Sequence, residues 1–536
     1  MMTSLILRIR NIHPRWFVGA FFALYFFVGV ASFRSFGIAV DEGTMDSLGR
    51  DVFRYVFLGT DWPTNEGWRF HGTSVELPIY IVQQFFFPGE HPATEYLHVY
   101  IQHFVVFLIT FFGVVMLYLL ARRHFRSSWW ALLCCLLFVL TPRLFAQSFY
   151  NSRDLPMLAF FTASMFSLVR FAERPTVGRM LLHSVFSALA LALRMPALII
   201  PVITVLYFFL HTVTQQQGHL SSDRFRQCVL LVLYFLSLAF ATIVFWPFLW
   251  DQPLAHFLEA YRYMGHINGS AMFLGHLYAN IPWFYIPVWI TATVPLMYTV
   301  FFLLGCFSLC IAFLMHPRRW FTEHSDALLF LGWFFLPIFS IIITGAGIYN
   351  EWRHVFFIYP AFLLLAVTGI RSGLSRAKVL GGLWSTVLAT AIIVAISGQI
   401  LSTGIWMVRN HPFQFAYFSL PSSFVSGLVP YDYWKLSYRD AMRFVLAQNP
   451  GIISVYSNAN VAYMNAYNVF PESLSRIMRV PKIAEAMYVV TDDPALAPGL
   501  LLLHEVNVDG LYLSGVYKGP MNSVLVDPVT KGVFFR

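Results

Sequence analysis

Long apolar runs, separated by short polar stretches, fill the chain up to about residue 402. Most are close to the ~20 residues that an α-helix needs to cross a bilayer, and they lack the alternation of a half-buried strand. The fifth and sixth are short and are separated only by Arg194-Met195-Pro196, which indicates a kinked or re-entrant pair. The pattern predicts about eleven transmembrane helices, at 16–38, 99–120, 129–146, 155–172, 180–194, 197–212, 228–248, 283–314, 326–343, 355–370 and 380–402.

The polar segments divide the chain further. Loop 39–98 is long and contains amphipathic stretches at 44–58 and 75–87, which are typical of helices lying at a membrane interface. After residue 402 the long apolar runs stop. A capping box at Ser437 to Asp440 predicts a helix at 437–448. Short β-like runs follow at 452–456, 487–491, 511–517 and 523–526.

We therefore predict an all-α polytopic membrane protein with a small C-terminal α/β domain. Residues 1–402 would form the transmembrane domain, including loop 39–98 with its juxtamembrane helices, and residues 403–536 the extracytoplasmic domain.

Composition agrees with a membrane protein and excludes an ordinary soluble one. Apolar residues make up 58% of the chain and charged residues only 11%, whereas soluble domains carry about 25% charge. The net charge of +9 does not indicate nucleic acid, because the cations concentrate in alternate loops between the spans. By the positive-inside rule those loops are cytoplasmic, which places the N-terminus inside and the tail outside. The first apolar run has no small-residue cleavage site after it, so we expect it to stay as a span.

Asp41 and Glu42 follow the first span directly. Two adjacent carboxylates at the edge of a bilayer are unusual, and burial near lipid raises a carboxyl pKa into the range of a general base. A solvated helix end is the alternative interpretation.

Two later outer segments also carry charges. Arg153 and Asp154 lie in a short loop, where Asp154 could also be a helix cap before Pro156. Arg353 and His354 precede the tenth span and could hold a phosphate, although Trp and Arg there also suit an interfacial anchor.

Other polar residues of the outer loops are weaker candidates, because lone loop residues of these types are mostly structural or solvated. They are Arg69, His71, Glu76, His266, Asn268 and His276. The histidines lack the spacing of a metal site, and no phosphate-binding loop or nucleophile elbow is present.

These residues, in this order, resemble the GT-C superfamily of membrane glycosyltransferases, particularly the protein O-mannosyltransferase and lipid A aminoarabinose transferase group. The shared pattern is an acidic pair after the first span, a long outer loop, a second acidic residue in the next short outer loop, and a basic motif before a late span. Here these are Asp41-Glu42, 43–98, Asp154 and Trp352-Arg353-His354. The segment from His411 to Arg439 is also similar to bacterial members, and the resemblance covers about 1–445.

The resemblance implies transfer of a sugar from a polyprenyl-phosphate carrier to an acceptor on the outer face, with inversion. Asp41 would act as the general base, and Glu42 and Asp154 would orient the acceptor or tune Asp41. Arg353, His354 or Arg153 would hold the lipid phosphate. No cofactor is required, and a divalent metal is allowed but not demanded. The sugar-binding-like insertion of eukaryotic protein O-mannosyltransferases is absent, which leaves the acceptor open.

Three other functions fit parts of the pattern. A transporter or flippase of lipid-linked sugars would also use membrane charges, but transporters usually show repeated halves. A polysaccharide polymerase or ligase would use an oligosaccharide donor, and a silent scaffold would only bind. The absence of eukaryotic retention signals favours a bacterial inner membrane.

Overall fold

The structure is a computed structural model of the whole chain. It describes residues 14–62, 68–89, 92–214, 221–265, 270–317, 320–321, 325–425, 428, 431–469 and 475–521.

Helices dominate the described residues, as the long apolar runs predict. They are α1 (Pro14–Ser32), α2 (Glu42–Leu58), α3 (Glu76–Phe86), α4 (Pro92–Phe125), α5 (Ser128–Val139), α6 (Pro142–Tyr150), α7 (Asp154–Glu173), α8 (Val177–Leu191), α9 (Ile199–Thr214), α10 (Ser221–Phe245), α11 (Pro253–Gly265), α12 (Tyr285–Thr293), α13 (Leu296–Met315), α14 (Ser325–Thr344), α15 (Tyr359–Leu380), α16 (Gly382–Arg409), α17 (Ser422–Val425), α18 (Tyr438–Gln448) and α19 (Val461–Val469). The strands are β1 (Ala271–Phe273), β2 (His276–Tyr278), β3 (Ile453–Ser457), β4 (Ile477–Arg479), β5 (Tyr488–Thr491), β6 (Leu502–Val508) and β7 (Leu511–Lys518).

Among the described residues, eight helices are long and apolar enough to cross a membrane. They are Pro14–Ser32, Leu97–Phe125, Asp154–Glu173, Phe225–Phe245, Leu296–Met315, Ser325–Thr344, Arg353–Leu380 and Gly382–Arg409. The pair α5 and α6 passes the same test as one span bent by 71°, and Val177–Leu191 and Met195–His211 are shorter apolar helices. The eight helices, the bent pair and the two short helices match the positions of the predicted spans. The predicted class, a polytopic helical membrane protein with a small C-terminal sheet domain, is confirmed.

The predicted span at 283–314 is wrong as a single helix. It consists of α12 and α13, and the chain between them is extended at Val294 and Pro295. Pro295 cannot donate a backbone hydrogen bond, so the helix restarts after it.

The chain forms two compact units. The first comprises residues up to Phe33, Gly43–Pro88 and Tyr100–Val429, and the second comprises Arg34–Glu42, Gly89–Val99 and Pro430 onwards. Residues 403–429 therefore group with the first unit, whereas the sequence pattern places a domain boundary after residue 402. That assignment of two functional domains stays a prediction.

Charged residues join the helices at one end of the first unit, which we call the Arg123 end. Arg123 on α4 pairs with Glu173 on α7 (Nε to Oε1, 2.6 Å) and with Asp326 on α14 (Nη1 to Oδ2, 2.5 Å). Tyr207 on α9 donates its hydroxyl to Asp326 at 3.0 Å. Charge-assisted hydrogen bonds thus hold α4, α7 and α14 together at their ends and join α9 to them through Tyr207.

The second unit contains a five-stranded sheet with the order β4-β3-β5-β7-β6. Strands β4, β3 and β5 run parallel, whereas β7 is antiparallel to both β5 and β6. The predicted strands at 452–456, 487–491 and 511–517 appear as β3, β5 and β7. The predicted strand at 523–526 lies outside the described residues.

The predicted capping box at Ser437 is wrong, although helix α18 begins where it was expected. The Ser437 side chain makes no capping hydrogen bond. Instead the carboxylate of Asp432 accepts from the backbone N–H groups of Leu436 (3.1 Å) and Ser437 (2.8 Å). The carboxylate at the start of this helix is therefore Asp432, which binds the two residues before Tyr438, and not the predicted Ser437–Asp440 pair.

Helices α13 and α15 meet at two glycines. A Cβ atom at Gly305 would lie 2.0 Å from the carbonyl oxygen of Leu365, and one at Gly369 would lie 2.0 Å from that of Phe301. Both distances are far below van der Waals contact, so this close backbone packing requires glycine at both positions.

We expect Gly305→Ala to push these helices apart and to destabilise the protein by about 1–3 kcal/mol. Gly332→Ala is the matched control, because its Cβ would meet only the Leu336 side chain at 3.6 Å. The control should be neutral or slightly stabilising, since alanine favours a helix more than glycine does. Thermal unfolding in detergent measures both, and equal effects would contradict the packing.

Candidate active site

Asp154 begins helix α7 and is almost fully buried. The cap of this helix comes from Asn151, whose Oδ1 accepts from the backbone N–H groups of Arg153 (3.3 Å) and Asp154 (2.9 Å). Asn151 also donates its Nδ2 to Oδ2 of Asp154 at 3.0 Å. The carboxylate of Asp154 is therefore not needed as a cap and points toward other side chains.

Two arginines from other parts of the first unit pair with Asp154. Arg353 places Nη1 3.2 Å from Oδ2, and Arg194 places Nη2 2.8 Å from Oδ1. Asp154 and Arg353 are nearly inaccessible, whereas the Arg194 side chain is 16% exposed. One carboxylate thus holds two guanidinium groups side by side, and one of these retains an accessible face.

Arg153, the residue before Asp154, contacts a different set of groups. Its Nε lies 3.3 Å from Oε1 of Glu76, and its Nη1 donates to the carbonyl oxygens of Gly72 and Leu193, each at 3.3 Å. Arg153 therefore connects loop 68–75 to the end of α8. We call Glu76, Arg153, Asp154, Arg194 and Arg353 the Asp154 cluster. It contains three guanidinium groups and two carboxylates, so it is one positive charge in excess.

Each residue of the Glu351-Trp352-Arg353-His354 motif has a defined contact. Trp352 donates its Nε1 to Thr293 at 2.9 Å and is buried. Arg353 lies over the Tyr349 ring at 5.1 Å, and the His354 ring meets the same tyrosine edge-on at 4.8 Å. The burial of Trp352 and Arg353 argues against an interfacial anchor.

The backbone just before this motif is strained. Asn350 and Glu351 both have positive φ angles, 54° and 65°. Two consecutive non-glycine residues in the left-handed region persist only where neighbouring contacts hold them, and such positions cluster at functional sites. Here the contact is an ion pair between Glu351 and the buried Arg143.

Arg143 connects this loop to the segment after the last long helix. Its Nε donates to the carbonyl oxygen of Tyr417 at 2.8 Å, and its guanidinium lies over the Phe418 ring at 4.3 Å. The His411–Arg439 segment that supports the family resemblance thus begins in contact with the motif before α15.

Burial shifts the protonation of several groups in these loops. It raises the pKa of the Glu351 and Glu76 carboxyls, although Arg143 and Arg153 respectively oppose the shift. The pKa of His71 is held well below its ordinary value by burial and by the nearby charges of Arg153 and Arg194. His71 therefore adds no charge to the cluster at neutral pH.

Some polar atoms here are buried without a hydrogen-bond partner among the described residues. They include the nitrogens Nε of Arg194 and Nε2 of His354, and the carboxylate oxygens Oδ1 of Asp154, Oε1 and Oε2 of Glu76 and Oε2 of Glu351. Unsatisfied donors and acceptors in the interior are costly. An anionic ligand can accept a hydrogen bond from Nε of Arg194, whereas the unpaired carboxylate oxygens need a donor such as a hydroxyl group.

Asp41 and Glu42 belong to the second unit, with the segment 34–42. Glu42 is buried and is the first residue of α2, and its Oε2 accepts from the backbone N–H of Ala39 at 2.6 Å. Asp41 lies in the turn before the helix and is partly exposed. Of the two carboxylates, Asp41 is therefore the one with solvent access.

The structure brings together Asp154, Arg153 and Arg353 of the predicted site, with His354 next to Arg353. Over the part of the chain that the structure describes, no three His, Cys, Asp or Glu side chains form a group that could hold a metal ion. The weaker candidates His266 and Asn268 lie outside the described residues.

Arg194 and Tyr349 were not among the predicted site residues. Arg194 separates two apolar runs and looked like part of a turn, yet an arginine between two spans is costly unless it has an anionic partner. This cost is the sequence signal that could have identified Arg194 as a site residue. Tyr349 had no comparable signal, because aromatic residues are common throughout this chain.

The sequence profile of the dolichyl-phosphate-mannose-protein mannosyltransferase family matches residues 92–261. This range includes Arg153, Asp154 and Arg194. The match confirms the predicted resemblance to this group of membrane glycosyltransferases. A comparison with curated proteins finds no match.

Solved structures with a similar chain course include two of ArnT from Cupriavidus metallidurans, both 15% identical. The apo form covers 94% of this chain and 98% of its own, with a TM-score of 0.46. The form bound to undecaprenyl phosphate covers 93% and 98%, with a TM-score of 0.41. The oligosaccharyltransferase AglB from Archaeoglobus fulgidus, in complex with an inhibitory peptide and a dolichol-phosphate, is 12% identical and covers 89% of this chain and 69% of its own, with a TM-score of 0.47.

We expect Asp154→Asn to destabilise the protein by about 3–5 kcal/mol, because it leaves two guanidinium groups without their anion. Asp440→Asn is the control, since its pair with Arg443 is much more accessible and should contribute at most about 1 kcal/mol. Combining Asp154→Asn with Arg194→Gln should recover part of the loss. Thermal unfolding in detergent measures all three, and a neutral Asp154→Asn would contradict the ion-pair geometry.

The lowered pKa of His71 predicts a pH-dependent stability. An unfolded chain takes up the proton near pH 6.5, whereas the folded protein resists it, so stability falls as the pH drops below that value. The contribution approaches about 1.4 kcal/mol per pH unit. In His71→Gln the thermal unfolding midpoint should change less between pH 7.5 and 5.5 than it does in the wild type. The same pH dependence in both proteins would show that His71 accepts its proton freely when folded.

Proposed function

We propose that this protein is a glycosyltransferase that moves a sugar from a polyprenyl-phosphate carrier to an acceptor hydroxyl on the extracytoplasmic face of the membrane, with inversion. The observation that carries the proposal is the Asp154 cluster, an excess of buried positive charge at one end of a membrane-spanning helical bundle. The family match over residues 92–261 supports the same class of enzyme.

The charge balance of the reaction fits this cluster. When the bond between the anomeric carbon and the phosphate oxygen breaks, its electron pair goes to that oxygen. The carrier phosphodiester thereby becomes a monophosphate with one more negative charge. Preorganised guanidinium groups at that oxygen stabilise the charge as it develops, and no acid is needed for such a leaving group. Arg353 and Arg194 would supply this stabilisation.

Asp154 would act by fixing the geometry of these two arginines. It accepts hydrogen bonds from Arg353 and Asn151 and forms an ion pair with Arg194. Its oxygens are already engaged by these three groups, so proton removal falls to another group. His354, which shares the Tyr349 ring with Arg353, would donate to the phosphate or the sugar.

Asp41 would be the base that takes the acceptor's proton. The acceptor oxygen attacks the anomeric carbon from the face opposite the phosphate, and its proton passes to the Asp41 carboxylate. Glu42 is engaged with the backbone of Ala39, so its role would be to hold Asp41 in place. A lipid-linked donor can enter sideways from the bilayer, which suits a site at the end of the spans.

The sidedness rests on the charges of the loops. The loops at the Arg123 end are rich in arginine, including Arg122, Arg126, Arg174 and Arg179, which favours the cytoplasm for that end. Asp154 begins α7 and Glu173 ends it, so the Asp154 cluster would lie on the extracytoplasmic side. A bacterial inner membrane is the location we propose.

The test is release of polyprenyl phosphate from a panel of labelled polyprenyl-phosphate sugars by the protein in lipid vesicles. Asp41→Asn should lower turnover about 10²–10⁴-fold, the range that general-base catalysis contributes. Asp51→Asn is the matched control, because Asp51 lies on α2, the helix that follows Asp41, is 38% exposed and pairs only with its neighbour Arg50 among the ion pairs of the described residues. It should leave turnover unchanged.

The remaining outcomes separate the alternatives. Movement of the donor from one leaflet of the vesicle membrane to the other, without release of polyprenyl phosphate, would indicate a flippase. Donor binding with no turnover in the wild type would indicate a silent scaffold. Turnover that yields the donor's own anomeric configuration in the product, determined by NMR, would contradict inversion.

A further inference from the structure

We infer that the C-terminal part of the chain positions the acidic pair, and that Asn465 is the principal positioning residue. The inference rests on the proposed roles of Asp41 and Glu42. It gives a function to residues 430–521, which the proposed chemistry does not otherwise use.

Asn465 binds the backbone of the segment that leads to the pair. It lies on helix α19, is completely buried, and is 427 residues away from Ile38 in the chain. Its Oδ1 accepts from the N–H of Ile38 at 2.8 Å, and its Nδ2 donates to the carbonyl oxygen of the same residue at 3.0 Å. The side-chain amide thus pairs with both backbone groups of one residue, as a neighbouring strand would.

The next two residues are fixed in the same way. The N–H of Ala39 donates to Glu42, and the N–H of Val40 donates to the carbonyl oxygen of Trp434 at 3.1 Å. Three consecutive backbone N–H groups, at residues 38–40, are therefore bonded, two of them to residues beyond 430. Asp41 follows directly, so its position depends on these bonds.

The chain around Ile38 also fits closely against this part of the second unit. A Cβ at Gly37 would lie 2.5 Å from Oδ1 of Asn465 and 3.1 Å from Cβ of Arg439. The Arg439 guanidinium donates to the carbonyl oxygens of Arg34 (3.1 Å) and Ser35. Glycine at position 37 is thus required for the approach that the Asn465 bonds need.

A purely structural account explains these contacts less well. A buried side-chain amide is costly unless all its hydrogen bonds are made, and an apolar residue would fill the same position more cheaply. What the amide adds is orientation, because it fixes both the N–H and the C=O of one residue. A general base requires such orientation, since a displacement of about 1 Å can cost 10²-fold in rate.

Hydrogen exchange of the full-length protein in nanodiscs tests the contact without relying on activity. In Asn465→Ala, exchange should accelerate across residues 36–42 and remain at the wild-type rate in the strands β5 and β7. Gly37→Ala should also accelerate exchange across residues 36–42, because its Cβ would displace this segment from Asn465. This substitution leaves the sequence of α19 unaltered. Asn449→Ala is the control, because its Oδ1 only accepts from the nearby Gly451 N–H. Unchanged exchange at 36–42 in both test variants would overturn the inference.

Turnover of a polyprenyl-phosphate sugar then tests the role. In both test variants kcat should fall about 10²-fold, whereas KM for the donor should stay near the wild-type value, because the Asp154 cluster is intact. Accelerated exchange with wild-type kcat would show a merely structural contact and would overturn the inference. If instead Asp41→Asn keeps wild-type turnover, the proposed base fails, and the exchange data still decide whether Asn465 orders the segment.

Discussion

Buried guanidinium groups must have carboxylates beside them, and this requirement organises one end of the first unit. Asp154 meets it for Arg194 and Arg353, and Glu76 meets it for Arg153. These pairs join the start of α3, the start of α7, the break between α8 and α9, and the turn before α15. Because two carboxylates serve three cations, the cluster keeps an excess positive charge that an anionic ligand can neutralise.

The same pairing of arginines with carboxylates explains where backbone strain is tolerated. The left-handed backbone at Asn350 and Glu351 lies between the Arg143 ion pair and the Arg353 ion pair. Charge-assisted hydrogen bonds on both sides of these two residues stabilise a left-handed backbone that would otherwise be unfavourable. At the other end of the helices, Arg123 and Asp326 make comparable bonds, and one nearby residue, Arg126, also has a positive φ of 52°. Two consecutive left-handed residues and an excess of positive charge coincide at the Asp154 end, where the proposed chemistry needs rigid donors.

How much the sequence could reveal follows from the kind of signal each feature leaves. Spans leave uninterrupted apolar runs, so their positions were predictable, while the break at Pro295 was hidden inside one run. Asp154 and Arg353 stood out as charges next to spans. Arg194 resembled a turn residue, and Asn465 left no signal in the sequence, because their importance comes from contacts with distant parts of the chain. The catalytic roles themselves stay predictions, since no pattern states which carboxylate acts as base.

The most direct test of the central claim is an experimental structure of the protein in nanodiscs with polyprenyl phosphate. The account predicts that the phosphate lies within about 4 Å of the guanidinium groups of both Arg194 and Arg353, the range of a charge-assisted ion pair. A phosphate bound elsewhere, with Asp154 still holding both arginines and no anion beside them, would contradict it.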